Sequence, residues 1–127
     1  MNLINIAICD DMPVLRECIE MLIHEYEKEN GIRFNLLHFD SGEDLIDRFE
    51  EDRTFFHLLF LDYYMKELNG IETAKHIRKH NTQCHIVFVT SSEEYYKFLE
   101  VHPLKILRKP VQQYELNWIL ENVLCEA

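Results

Sequence analysis

Three aspartates, a threonine and a lysine stand where four apolar runs of the chain stop. Residues 4–9 run into Asp10-Asp11, residues 57–61 into Asp62, residues 85–89 into Thr90-Ser91, and residues 104–108 into Lys109-Pro110. In a parallel α/β sheet the carboxyl ends of the strands share one edge, and ligands bind in the crevice there. Four distant segments would then bring three carboxylates, a hydroxyl and an ammonium to one spot. Two carboxylates roughly 5 Å apart repel by about 3 kcal/mol at an effective dielectric of 20. Three such pairs approach about 10 kcal/mol, comparable to the stability of a whole domain. Protonation relieves part of this. A divalent cation relieves it better, and hard oxygen ligands with room for water suit Mg²⁺.

This set points to phosphoryl transfer. Asp62 can attack as a nucleophile and form an acyl phosphate. Asp11 and Asp62 would hold the metal, with Asp10 acting directly or through water. Lys109 offers an ammonium and Thr90 a hydroxyl to phosphate oxygens, since the protein's task in this chemistry is positioning and charge stabilisation. Each motif alone has a plainer reading. Asp10-Asp11 suits a helix cap before Pro13, Asp62 a turn, Thr90 a strand residue and Lys109-Pro110 a strand terminator. Their joint order at four strand ends is the signal.

The elements that must position these residues follow a strand–helix pattern repeated five times. The first helix is expected over residues 12–30, with Leu15, Cys18, Ile19, Leu22 and Tyr26 as its apolar stripe, Pro13 in its first turn and Gly31 as its cap. Residues 33–39 read as the second strand, and Ser41-Gly42-Glu43-Asp44 opens a short helix with Leu45, Ile46 and Phe49 on one face. A loop at residues 63–69 leads to a third helix at 70–80, with Ile71, Ala74 and Ile77 inward. Ser91-Ser92-Glu93-Glu94 resembles a capping box for a fourth helix reaching Val101. Residues 111–124 give the fifth, through Ile119, Leu120, Val123 and Leu124. The third and fourth strands are almost wholly apolar, as central parallel strands covered on both faces are. Right-handed crossovers favour a flavodoxin-like doubly wound (βα)5 sheet of five parallel strands in order 2-1-3-4-5.

At 127 residues the chain suits one domain over residues 1–127, with 47% hydrophobic residues supplying an ordinary core. A net charge of −10 disfavours direct nucleic-acid binding, which needs a basic face. No apolar run reaches a membrane span, and Met1 leads straight into a strand-like run, so a cytoplasmic location without membrane contact is expected. Cys9, Cys18, Cys84 and Cys125 lack ligand spacing and read as reduced and mostly buried. Cys9 could sense redox state, but its acidic neighbours would blunt it. His76 and His80 could share a metal at i, i+4; no third ligand is evident in the sequence, and a surface role is preferred. Tyr95, Tyr96 and Phe98 could present a partner surface or pack in the core.

Taken together, Asp10-Asp11, Asp62, Thr90-Ser91 and Lys109-Pro110, with Gly70 eight residues after Asp62, resemble the response-regulator receiver domains of bacterial two-component signalling over essentially the whole chain. The resemblance implies that Asp62 takes phosphate from a sensor histidine kinase. It implies that Asp10, Asp11, Asp62 and the backbone carbonyl of Tyr64 bind Mg²⁺, and that the Lys109-Pro110 peptide is cis. Enzymatic activity would be limited to self-phosphorylation and autodephosphorylation. A homodimer through the face of the fourth helix, fifth strand and fifth helix is also implied. The segments Phe39-Asp40-Ser41-Gly42-Glu43, Asn69-Gly70-Ile71-Glu72 and Glu100-Val101-His102-Pro103 further resemble receivers joined to a LytTR-type (LytR/AgrA-like) DNA-binding domain. DNA would then be reached only through an additional effector domain that regulates transcription; a stand-alone receiver in a phosphorelay is the alternative.

Two positions depart from the receiver pattern. Ile106 stands where Tyr or Phe is usual three residues before the lysine, and Lys66 where a proline is usual four residues after the acceptor. The first removes the aromatic switch, leaving Ile106 to stay buried. The second loosens the loop or brings a cation near the site. Among other classes, haloacid-dehalogenase-like phosphatases place a second aspartate where Tyr64 stands and carry their acid pair late in the chain. A flavin carrier would need a Ser/Thr/Gly-rich phosphate loop after the first strand, which is lacking.

Overall fold

The computed structural model describes residues 3–91 and 95–126. Five parallel strands, β1 (Asn5–Cys9), β2 (Asn35–Phe39), β3 (Leu58–Asp62), β4 (His85–Thr90) and β5 (Lys105–Arg108), form one sheet in the order β2-β1-β3-β4-β5. This is the expected doubly wound arrangement. Helices α1 (Pro13–Asn30), α2 (Gly42–Glu51), α3 (Gly70–Arg78) and α4 (Gln113–Glu126) are joined by a 3₁₀ segment, Tyr95–Val101, between β4 and β5.

Strand periodicity sorts the core into two layers. Ile6, Ile8, Leu58, Phe60, Val87, Val89 and Leu107 pack against α1 and α4 through Ile19, Ile23, Ile119 and Leu120. Their alternates Ala7, Cys9, Leu59, Leu61, Ile86 and Phe88 pack against α2, α3 and the 3₁₀ segment through Leu45, Phe49, Ile77 and Phe98. Period-two alternation in a sheet covered on both faces requires this division.

The helix ends follow from local chemistry. Gly31 caps α1 at φ 62°, and its N–H donates to the Glu27 carbonyl. Ser41 caps α2 by accepting from the Asp44 amide. Asn69 and Glu72 form a reciprocal capping box at α3. Met12 precedes α1 without a side-chain cap, so the acid pair is not serving as one.

Several expectations are corrected. The α1 face turned to the sheet is Ile19, Ile23 and Tyr26; Leu15 and Leu22 lie on its flank and Cys18 is exposed. All four cysteines are free, but only Cys9 and Cys84 are buried, while Cys18 and Cys125 lie on solvent-facing positions of α1 and α4. The described part of the fourth helix is 3₁₀ rather than α; Ser92, Glu93 and Glu94 of its expected capping box lie outside the described residues. The last helix starts at Gln113, two residues later than expected, because the Gln112 carbonyl accepts from the Glu115 and Leu116 amides and the Glu115 carboxylate accepts from the Gln112 amide. Strand β2 begins at Asn35 rather than at 33.

Candidate functional site

Strand register explains why the four motifs meet. Cys9 pairs with Leu61, so Asp10 and Asp62 follow at the same level. Asp62 pairs with Val89, and Thr90 with Arg108, so Thr90 and then Lys109 complete the edge. The Lys109 amide donates to the Thr90 carbonyl at 3.0 Å, tying the two strand ends together, and the Lys109-Pro110 peptide is cis.

The carboxylates of Asp10, Asp11 and Asp62 lie within 4.8 Å of one another. Asp10 and Asp62 are 4% and 5% exposed, and Asp11 is half-buried. Lys109 Nζ donates to Asp62 Oδ1 at 3.0 Å and to Asp10 Oδ2 at 3.2 Å. One ammonium against three acids leaves the cluster short of positive charge. Burial, then the Asp10 charge, push the Asp62 carboxyl up to about 6, with Lys109 opposing. Metal-free, Asp62 therefore keeps a proton to higher pH than an ordinary carboxyl and holds its charge only above about 6. A dication held by the same oxygens supplies the missing charge, so the donor set fits Mg²⁺.

The remaining predicted residues are placed less centrally. Thr90 is fully buried at the end of β4. Tyr64 is exposed in the loop beyond Asp62, its ring edge-on to Tyr63 at 4.6 Å. Lys66 lines a cleft of about 340 Å³ together with Asp11, Asp40 and Glu43. Burial, with Asp10 and Asp62, pushes the Cys9 thiol up, which keeps it protonated and inert.

Some supports escape sequence reasoning. Arg16 donates to the Asp10 carbonyl at 2.6 Å, and Asp10 Oδ1 accepts from the Met12 amide at 2.9 Å. Arg16 lies six residues after Asp10, one turn into α1, and its reach back over the helix start is not written in any motif. Gly70 is explained by space. A Cβ there would stand 2.3 Å from the Asp62 carbonyl oxygen. The start of α3 thus presses on the backbone of Asp62 itself, and the Gly70 amide donates to the Tyr63 carbonyl at 2.9 Å.

A family model for the response regulator receiver domain matches residues 6–121. The chain belongs to that family. This receiver is 30% identical over 119 residues to the two-component response regulator ARR22 of Arabidopsis thaliana, covering 91% of this chain and 80% of that protein. It is 21% identical over 118 residues to the sensory transduction protein LytT of Enterococcus faecalis, covering 92% of this chain but only 46% of LytT. Among solved structures it resembles the REC domain of AraT, a response regulator from Geobacillus stearothermophilus, at 20% identity and TM-score 0.81, covering 98% of this chain and 95% of that one. The response regulatory domain of protein mrkE from Klebsiella pneumoniae gives TM-score 0.83 at 20% identity, covering 97% of each chain. The family match sets aside the phosphatase and flavin-carrier readings.

Within this receiver, Ile106 is half-buried rather than buried, because β5 is the sheet edge; it packs on the layer of α2 and α3. Phe98 is core, 4.5 Å from the Phe88 ring and 5.5 Å from that of Tyr63, which decides its two readings in favour of packing. The side chains of Tyr95 and Tyr96, the other two residues of that reading, lie outside the described parts.

Proposed function

We propose that Asp62 is the phosphoacceptor of a two-component switch, charged by a sensor histidine kinase. The carrying observation is the buried Asp62 carboxylate at a strand end, hydrogen-bonded to Lys109 and within 4.8 Å of two further carboxylates. In the transfer, an Asp62 oxygen bonds to phosphorus as the bond from phosphorus to the donor's imidazole nitrogen breaks, and the freed imidazole takes up a proton. Lys109 turns from the carboxylates to the phosphoryl oxygens, and Thr90 offers its hydroxyl to another. Asp10, Asp11, Asp62 and the Tyr64 carbonyl would hold Mg²⁺, which when bound neutralises charge on the transferring group. Beyond this self-phosphorylation and hydrolysis of the acyl phosphate by water to inorganic phosphate, no enzymatic activity is proposed.

The output we propose is transcriptional, through a LytTR-type domain outside this chain. Its support is the motif resemblance and the similarity to LytT, of which the chain spans less than half. The net charge of −10 agrees with DNA contact being left to another domain. A stand-alone receiver is a second reading, favoured by the chain's covering 80% of ARR22 and 79% of the response regulator receiver protein CpdR of Brucella abortus. A cytoplasmic location fits either output; among the described residues no helix is long and apolar enough to cross a membrane. Exposed Leu99, Tyr114 and Trp118, with Lys105 over the Trp118 ring at 5.1 Å, supply a face of the 3₁₀ segment, β5 and α4 suited to a homodimer.

Acetyl phosphate treatment followed by intact-mass measurement tests the acceptor. One labile phosphate is expected, only with Mg²⁺. Equal labelling of Asp62→Asn would refute it. Sequencing the full reading frame decides between the outputs: a following basic, strand-rich domain supports transcription, and its absence supports the stand-alone receiver.

A further inference from the structure

We propose that Glu50, His76 and His80 form a second metal site, for a divalent transition-metal ion such as Zn²⁺. The two histidines alone lacked a third ligand. Folding supplies it from another element: Glu50 lies in the last turn of α2, His76 in the last turn of α3, and His80 in the turn that follows. One ligand atom from each lies within 4.8 Å of the others. His76 Nε2 stands 3.1 Å from Glu50 Oε2, and the two imidazole rings are 5.6 Å apart at 65°. Ligands about 2.0–2.1 Å from a tetrahedral zinc are separated by roughly 3.3–3.5 Å. The Glu50–His76 edge is nearly formed, and a rotation of the exposed His80 ring closes the others.

The surroundings hold two of the three ligands in place. Arg53 donates to both Glu50 oxygens, closely to Oε1 (Nε at 2.8 Å, Nη2 at 2.7 Å) and more weakly to Oε2 (Nη2 at 3.3 Å), so a metal would take the weakly held Oε2 while Arg53 orients the carboxylate through Oε1. The Phe49 ring meets His76 edge-on at 6.4 Å. Two imidazoles and one carboxylate favour first-row transition metals over Mg²⁺, which prefers all-oxygen sites. The two sites are therefore chemically distinct. They are also apart, since α3 begins against Asp62 and the histidines lie at its far end. An ion here would clamp the end of α2 to the end of α3 and stabilise the folded state by mass action.

Calorimetric titration with Zn²⁺ in excess Mg²⁺ tests the site, in a Cys18→Ser/Cys125→Ser background because those thiols are exposed. One ion should bind and raise Tm. His76→Ala, His80→Ala and Glu50→Gln should each weaken binding about tenfold or more, and Asp11→Ala should leave it unchanged. Circular dichroism checks that the variants fold, and His80→Ala, at an exposed turn, is the variant least able to disturb folding. Zn²⁺ binding unaltered in both histidine variants, or abolished by Asp11→Ala, would overturn the proposal. Loss with the histidines but not with Glu50→Gln would overturn the three-ligand assignment.

Discussion

A carboxyl group buried beside another carboxylate must accept either desolvated charge or a proton. Asp62 sits at that balance, pushed up to about 6. Its cost to folding is absent below its unfolded pKa near 4 and fully present above about 6, where the native state holds the charge. Asp62→Asn should therefore stabilise the metal-free protein at pH 7 by roughly 1–2 kcal/mol after allowance for solvent screening, and much less at pH 4. Thermal unfolding with and without Mg²⁺ checks this, and Mg²⁺ should narrow the gap by stabilising only the parent. A destabilised Asp62→Asn at pH 7 would mean that the Lys109 pairing outweighs burial. Asp11→Ala should weaken Mg²⁺ binding about tenfold or more, since it removes a full charge within 4.8 Å of the other two carboxylates. His76→Ala should leave Mg²⁺ binding unchanged. Calorimetry of the two variants separates the sites.

At the scale of elements, the close fit of α3 against the end of β3 makes Gly70 critical. Gly70→Ala should destabilise the fold by about 1–3 kcal/mol, because backbone rather than a flexible side chain blocks the added methyl. It should also slow phosphorylation by displacing Asp62. Denaturant unfolding and a phosphorylation time course measure both. Beyond Asp62, the Tyr63, Phe98 and Phe88 rings form a continuous contact to the 3₁₀ segment and β4. With isoleucine at 106, stiff at χ1 and without a phenolic tip, signal should pass through Thr90, the loop after β4 and the 3₁₀ segment. Comparing inactive and beryllofluoride-bound structures should show that segment shifted and the Ile106 rotamer retained. A large rotation of Ile106 with the segment unmoved would contradict this route.

Across the whole molecule, legibility tracked locality. The strands and their order followed from apolar runs and crossover handedness, and the acid–lysine cluster from the rule that parallel strand ends share an edge. Gly31 and Ser41 announced their caps by residue type. What stayed hidden depends on contacts between elements. Arg16 reaches back to Asp10 across a helix start, and Glu50 meets His76 across 26 residues. On α1, Ile19 and Tyr26 face inward as expected, but Ile23 rather than Cys18 joins them; both are apolar, and only the packed sheet decides which faces inward. The 3₁₀ form of Tyr95–Val101 likewise escapes periodicity, since Phe98 and Val101 are three residues apart and fit either helix type.

On this reading, this edge of the sheet makes Asp62, and no other acid, an acyl phosphate. The direct measurement is borohydride reduction of the acetyl-phosphate-treated protein, followed by tandem mass spectrometry of its peptides, with and without Mg²⁺. Reduction converts a phosphorylated aspartate to its alcohol and marks the site permanently. The mark should fall at position 62 alone, and only with Mg²⁺. A mark at Asp10 or Asp11, or an equal yield without Mg²⁺, would contradict it.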